Sequence, residues 1–319
     1  KADLVLSNKP TDLSDLSRCK QEEAVTRMML HLSHASREGH DKAYIRTVDT
    51  DVVVLAIHFF AQLELEELWI GFGAGKSFRE MPIHIIVRSL GPQVSYAMPF
   101  FHSYTGCDIT SAMFGIGKKS AWKIWQAFPH FTTTFGALLD DPHQLQINSV
   151  HMQHLERFTV LIYSKHCSAD TVNEARKMMF TNGLKSLEAI PPTLNALFQH
   201  TKRALLAASF IWKQSLCKEP QVPSPGQWGW EWNERTKCGC HCGLIYQMPV
   251  RDVHYYCTVD AKWPVAAIVN AVEQGFTALL FANARGRAQT TTLRTESGCL
   301  MSGAIQQMCL MTLSSVLKY

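Results

Sequence analysis

Apolar positions along the first hundred residues change period several times, and each change marks an element. Ala24, Met28, Leu32 and Ala35 recur at helical spacing, with Glu22 and Glu23 near the start and Gly39 just past the end, which predicts a helix. Residues 43–48 then read as a buried strand, 52–62 as an apolar helix and 68–72 as a second strand. This helix–strand–helix–strand order predicts an α/β fold with a mostly parallel sheet. After Pro82 only helical signals follow, over 83–90, 98–104, 121–128, 153–164, 171–180 and 194–216. A linker rich in Pro and Gly runs from Pro220 to Trp232, and the remaining tail is rich in Thr, Ala and Cys with weak periodicity.

Composition narrows the class. Of 319 residues, 46% are hydrophobic and 18% charged, which is a globular rather than a disordered balance. A formal charge of +4 permits a nucleic-acid partner without demanding one, because binding depends on local clustering. Ten cysteines show no framework spacing, so a reduced, intracellular setting is expected. The most apolar stretch, Trp263 to Ala282, is broken by Asn270, Glu273, Gln274 and Gly275, so no membrane span is expected.

The candidate chemistry begins at the end of the first strand. Side chains alternate along an extended segment, so Asp49 and Asp51 should point the same way. Ligands of open α/β sheets bind at the carboxyl ends of strands, where this pair would lie. The plainer reading gives Asp49 to a turn and Asp51 to a helix cap. Glu22 and Glu23 open a helix, where free amides favour negative charge, and Asp108 follows the small-residue turn Thr105-Gly106-Cys107. If the sheet gathers these acids on one rim, they form a hard-oxygen site suited to Mg²⁺ or Mn²⁺. Asp108 alone would be an ordinary turn residue.

Gly115, Gly117, Lys118 and Lys119 place a Gly-x-Gly turn and two lysines before a helix. Glycines allow close backbone approach and the free amides of a helix start bind phosphate, which suits a sequence-independent grip on nucleic-acid backbone. A solvated turn is the alternative.

The stretches 46–56, 104–108 and 115–122, in this order, resemble the flap-endonuclease/XPG-like 5′ nucleases, which have PIN-like domains. The nearest likeness is to uncharacterised animal PIN-like proteins, which carry Glu-Glu-Ala-Asp-Thr-Arg where this chain has residues 22–27, and which share a stretch like 190–204. The resemblance covers about 17–235. It implies a Rossmann-like PIN fold followed by a helical region with a helix-turn-helix-type backbone clamp. It also implies metal ligands at Glu22, Glu23, Asp49, Asp51 and Asp108, catalysis at Glu23, Asp49, Asp51 and Asp108, and duplex contact at Gly115, Gly117, Lys118 and Lys119. The implied reaction is phosphodiester hydrolysis by metal-bound water, on structured or single-stranded DNA with RNA as the alternative, and a nuclear setting is expected. The chain departs from the family upstream, where only 21 residues precede Glu22 and no clear counterpart of the first strand, its acid or the helical arch is present. Val25 also stands where the close relatives carry Asp. These departures leave open a catalytically silent, transposon-related module that binds nucleic acid or protein.

Other motifs carry less. Residues 71–77 mimic a P-loop but have three rather than four residues before Gly-Lys, and Pro82 would cut the required helix. Cys238, Cys240 and Cys242 suggest zinc, yet their spacing is tight for one tetrahedral site and a thiol cluster without metal is the expectation. His31, His34, His102 and His200 read as surface or satisfied core histidines, and Trp122 and Trp125 as core; Trp228, Trp230 and Trp232 alternate as in a short strand or a stacking surface. The expected organisation is a loose arm over 1–16, a PIN-like unit lacking its upstream strand over 17–110, a nucleic-acid-contacting helical region over 111–218, and a linker with a weakly ordered tail over 219–319.

Overall fold

The computed structural model describes residues 19–21, 23–181 and 189–231, with Ser14 and Leu16, and the backbone alone of 232–233 and 238–241. Helix α1 (Ala24–Arg37) buries Met29, Leu32 and Ala35, as the sequence spacing requires. It ends at Glu38, and Gly39 follows with φ +84°, a left-handed conformation in which glycine carries no Cβ penalty.

Strand β1 (Lys42–Thr47) buries Ala43 and Ile45 and leaves Lys42 and Arg46 exposed, so it is covered on one face rather than both. Helix α2 (Thr50–Phe59) buries every residue from Asp51 to Phe59, as suits the central helix of a layered fold. It crosses over to β2 (Glu67–Phe72), which pairs parallel with β1 from Lys42↔Glu67 to Thr47↔Phe72. The P-loop look-alike forms no helix: after Gly73 (φ +85°) and Gly75 (φ +52°) the chain turns back into β3 (Arg79–Pro82), antiparallel to β2. The sheet order is β1-β2-β3, a small mixed α/β core.

Helices α3 (Ile83–Leu90) and α4 (Pro92–Tyr104) follow, and both pack on α2. Beyond a loop come α5 (Lys118–Ala127), α6 (Phe131–Asp140), α7 (Val150–Tyr163), α8 (Val172–Thr181) and α9 (Leu194–Leu205). The helix expected over 194–216 is not uniform. After Leu205 it passes into a π-helical turn, Leu206–Ile211, then a 3₁₀ turn, Trp212–Gln214, and this path carries Trp212 into the core at 1% exposure.

Helix α4 packs against α6 and α9, and the buried side chains of the sheet half and the helical half belong to one continuous apolar cluster. The boundary drawn at residue 110 therefore crosses a shared core. Leu16, inside the stretch expected as a loose arm, is buried. Trp230 begins a short strand, β4 (Trp230–Asn233), paired antiparallel with β5 (Cys238–His241). Among the described residues no helix is long and apolar enough to cross a membrane.

Candidate acid cluster

Glu23 occupies the N-cap position of α1, and Asp49 that of α2. The carboxylate of Asp49 accepts the Asp51 amide at 2.8 Å, while the Asp49 amide donates to Thr47 Oγ1 at 3.0 Å. This cap corrects the extended-strand argument. The strand stops at Thr47, because satisfying the free amides of α2 starts the helix at Thr50. Asp49 and Asp51 are thus neighbours through a helix start, with Asp51 buried in its first turn.

Asp108 lies exposed in the loop after α4. Two contacts shape that loop. Cys107 and Thr110 bond each other's backbone at 3.1 and 3.2 Å. Gly106 has φ +106°, and a Cβ placed there would stand 2.6 Å from Ala112 Cα.

The four carboxylates lie within one another's fields. Burial first, then the charge of Asp51, pushes Glu23 up to about 7, with smaller contributions from Asp49 and Asp108; a hydrogen bond from the Trp212 indole opposes the rise. Burial and Asp51 likewise push Asp49 up to about 6. Asp108 is raised by burial and Asp51 and pulled back by Lys118. Carboxylates drawn from three distant parts of the sequence therefore influence one another electrostatically. Glu22 lies outside the described residues.

Sequence reasoning missed two further groups here. His102, on α4, places Nε2 2.8 Å from Asp51 Oδ1 and is 1% exposed. Burial, reinforced by the Lys118 charge, holds its pKa down to about 4, so the ring is neutral at pH 7. Trp212, buried in its turn, packs its ring 5.9 Å from that of His102 and lowers the Glu23 pKa. Neither residue has a neighbour in sequence that signals this role; only the packing of α4 and the end of α9 against the acids reveals it.

The glycine–lysine motif divides. Gly115 has φ +72° and is exposed, and Gly117 is the N-cap of α5 with no side-chain cap bond. Lys119 is exposed. Lys118 turns inward at 8% exposure and donates to the carbonyl of His102 at 2.7 Å, to Thr105 Oγ1 at 3.1 Å and to the carbonyl of Gly106. Burial brings its pKa down to about 8 despite the nearby acids. Its expected contact with duplex backbone does not fit this position, because an ammonium satisfied by three internal oxygens is not presented to solvent.

Carboxylate oxygens suit a hard cation by donor type. By spacing, no three His, Cys, Asp or Glu side chains among the described residues stand close enough together to hold one ion. The side chains of Cys238, Cys240 and Cys242, and with them the zinc reading, lie outside the described residues. In comparisons with known protein families, characterised proteins and solved structures, nothing matches this chain.

Proposed function

We propose that this chain is a PIN-like, metal-dependent phosphodiester hydrolase, or a close derivative of one, acting on structured or single-stranded DNA. The observation that carries the reading is the mutual electrostatic influence of Glu23, Asp49, Asp51 and Asp108 at two helix starts and one loop. Burial, then the charge of Asp51, pushes Glu23 to about 7 and Asp49 to about 6, and the charge of a bound cation would offset both. To hold Mg²⁺ or Mn²⁺, Glu23, Asp49, Asp51 and Asp108 would have to draw closer than they stand here, and the ion when bound would supply activation of water and neutralisation of charge at the scissile phosphate. Asp49 would keep its bond to the Asp51 amide while doing so, since a carboxylate has about four acceptor sites. The uncapped start of α5 offers backbone amides to phosphate, with Lys119 rather than Lys118 adding the exposed charge.

A second reading, a catalytically silent nuclease-derived module, is favoured by the spacing of the acids, which leaves no ligand trio closed, and by the buried ammonium of Lys118 beside them. One experiment separates the two. Labelled flap and hairpin DNA is incubated with Mg²⁺ or Mn²⁺ and either the wild-type chain or the Asp49→Asn/Asp51→Asn variant. Cleavage by the wild type and none by the variant is the expected result. Binding without cleavage by either protein would replace the hydrolase reading with the silent module.

A further inference from the structure

The loop after α6, one side of helix α9 and the linker line an open cavity of about 380 Å³. That volume is at the small end of the range for ligand sites, about 300–1,000 Å³. Neither the four acids nor the glycine–lysine motif contributes to it.

Both loop walls are tied in place. After α6, the Asp141 carboxylate accepts the His143 amide at 3.1 Å and caps a 3₁₀ turn, Pro142–Gln144. In the linker, the Pro225 carbonyl accepts the Trp228 amide at 2.8 Å, and Arg203 of α9 donates from Nη1 to the Gly229 carbonyl at 2.9 Å. Gly229 (φ +84°) presses so close to α9 that a Cβ there would stand 2.5 Å from the Gln199 carbonyl oxygen.

The lining offers three kinds of chemistry. Aromatic rings come from His143, which is exposed, from half-buried Phe198, and from Trp228 at 5% exposure. The Trp228 ring lies 5.5 Å from His143 and 4.7 Å from Phe210 between centroids. Its indole Nε1 is buried with no acceptor among the described residues, and an orphaned donor in a cavity wall calls for a ligand or an ordered water. Exposed carboxamides come from Gln146 and Gln227. One cation comes from Lys202, whose Nζ stands 5.1 Å from the Phe198 ring centroid and meets no carboxylate among the described residues.

We propose that this cavity binds one unstacked nucleobase with its phosphate: Phe198 and His143 against the base, Gln146 and Gln227 at its edge, Lys202 on the phosphate. The proposal rests on the nucleic-acid partner in the reading above and does not involve the acids. Every base has a π-face that stacks on an aromatic ring, and its edge carries donors and acceptors that a carboxamide can match. A purely apolar ligand would leave the lysine and both carboxamides unused. Paired bases inside a duplex cannot enter, because they are stacked on their neighbours. A free mononucleotide and one unit of a single strand share the required chemistry.

The test uses the full chain without metal, so that the acids take no part. Equilibrium dialysis measures AMP, adenosine, ribose 5-phosphate and a short oligo-deoxyadenosine strand. The wild type is expected to bind AMP more tightly than either adenosine or ribose 5-phosphate. Phe198→Leu should weaken AMP about 10-fold, as for the loss of one stacking ring. Lys202→Met should bind AMP no better than adenosine. If AMP displaces the strand, the cavity takes a unit of single-stranded nucleic acid; if the strand does not bind, it takes the free nucleotide. Thermal unfolding identifies a variant that fails to fold; should Phe198→Leu do so, Lys202→Met and Gln227→Ala carry the test. Ribose 5-phosphate bound as tightly as AMP would overturn the base pocket. Failure to bind both AMP and the strand, or binding unchanged in all three variants, would overturn the proposal. Cleavage of flap DNA with Mg²⁺ is scored separately, so the hydrolase reading stands or falls independently of this cavity.

Discussion

The Nζ of Lys118, first residue of α5, lies 2.7 Å from the carbonyl oxygen of His102 in the last turn of α4. Through this contact, and its bonds to Thr105 and Gly106, one side chain closes the loop that presents Asp108. Carbonyls near the end of a helix lack intrahelical partners, and a cation is a favourable one.

Replacing Lys118 with Met keeps most of the aliphatic stem but strands the acceptors. We expect Lys118→Met to lower unfolding free energy by about 3 kcal/mol, in the range for losing hydrogen bonds to a buried charged group. Urea denaturation checks the value. Lys119→Ala should leave stability within about 0.5 kcal/mol, as for most surface changes. If the start of α5 grips phosphate, Lys119→Ala should also reduce the salt slope of DNA binding by about 1. A variant pair with these effects exchanged would show that Lys118, not Lys119, faces the solvent.

Gly106 has no room for a side chain. Gly106→Ala would place Cβ 2.6 Å from Ala112 Cα at a φ of +106°. The expected cost is about 2 kcal/mol or more, from backbone strain plus the clash. Because Asp108 is two residues on, the variant should also lose cation affinity, which a Mn²⁺ titration measures. Unchanged stability would show that the 106–112 loop yields easily.

Stability should depend on pH through Glu23 with a defined sign. In the fold Glu23 holds its proton up to about 7, against an ordinary 4.5. Between these values the folded chain binds more protons than the unfolded one. The contribution is therefore present in full below pH 4.5 and is lost as pH rises through 7. Asp49 acts in the same direction between 3.8 and about 6. His58 and His102, held down to about 4 by burial, act oppositely, losing stability as pH falls from 6.5. Comparing the wild type with Glu23→Gln cancels the histidine effect. The unfolding midpoint of Glu23→Gln should gain on that of the wild type between pH 4.5 and 7 without metal, and Mg²⁺ should narrow the gap. A constant difference across that range would mean that the fold does not raise the Glu23 pKa.

Much of the α/β core was legible because its signals are local. Helix α1 and strands β1 and β2 follow directly from apolar periodicity and the glycine after α1. The acids were legible as a set only through order and resemblance, and it is the packing of α1, α2 and α4 that places them together. Lys118 shows a signal that was present but unread. Lys118, Ala121, Trp122 and Trp125 are the buried positions of α5, spaced i, i+3, i+4 and i+7, so Lys118 belongs to the inward stripe. Helix α6 was obscured by three consecutive threonines and Gly136, all weak helix formers, although Phe131, Phe135, Leu138 and Leu139 keep helical spacing. The contacts of His102 and Trp212 had no local signal, since they join residues far apart in the chain.

The π-helical turn at Leu206–Ile211 sets the rotational phase of everything after α9. An ordinary helix advances about 100° per residue, so deleting one residue there to restore regular pitch would swing Trp212 by about that angle around the axis. Its indole would then leave its place beside the His102 ring, and the wider winding of six residues is what keeps the two rings together.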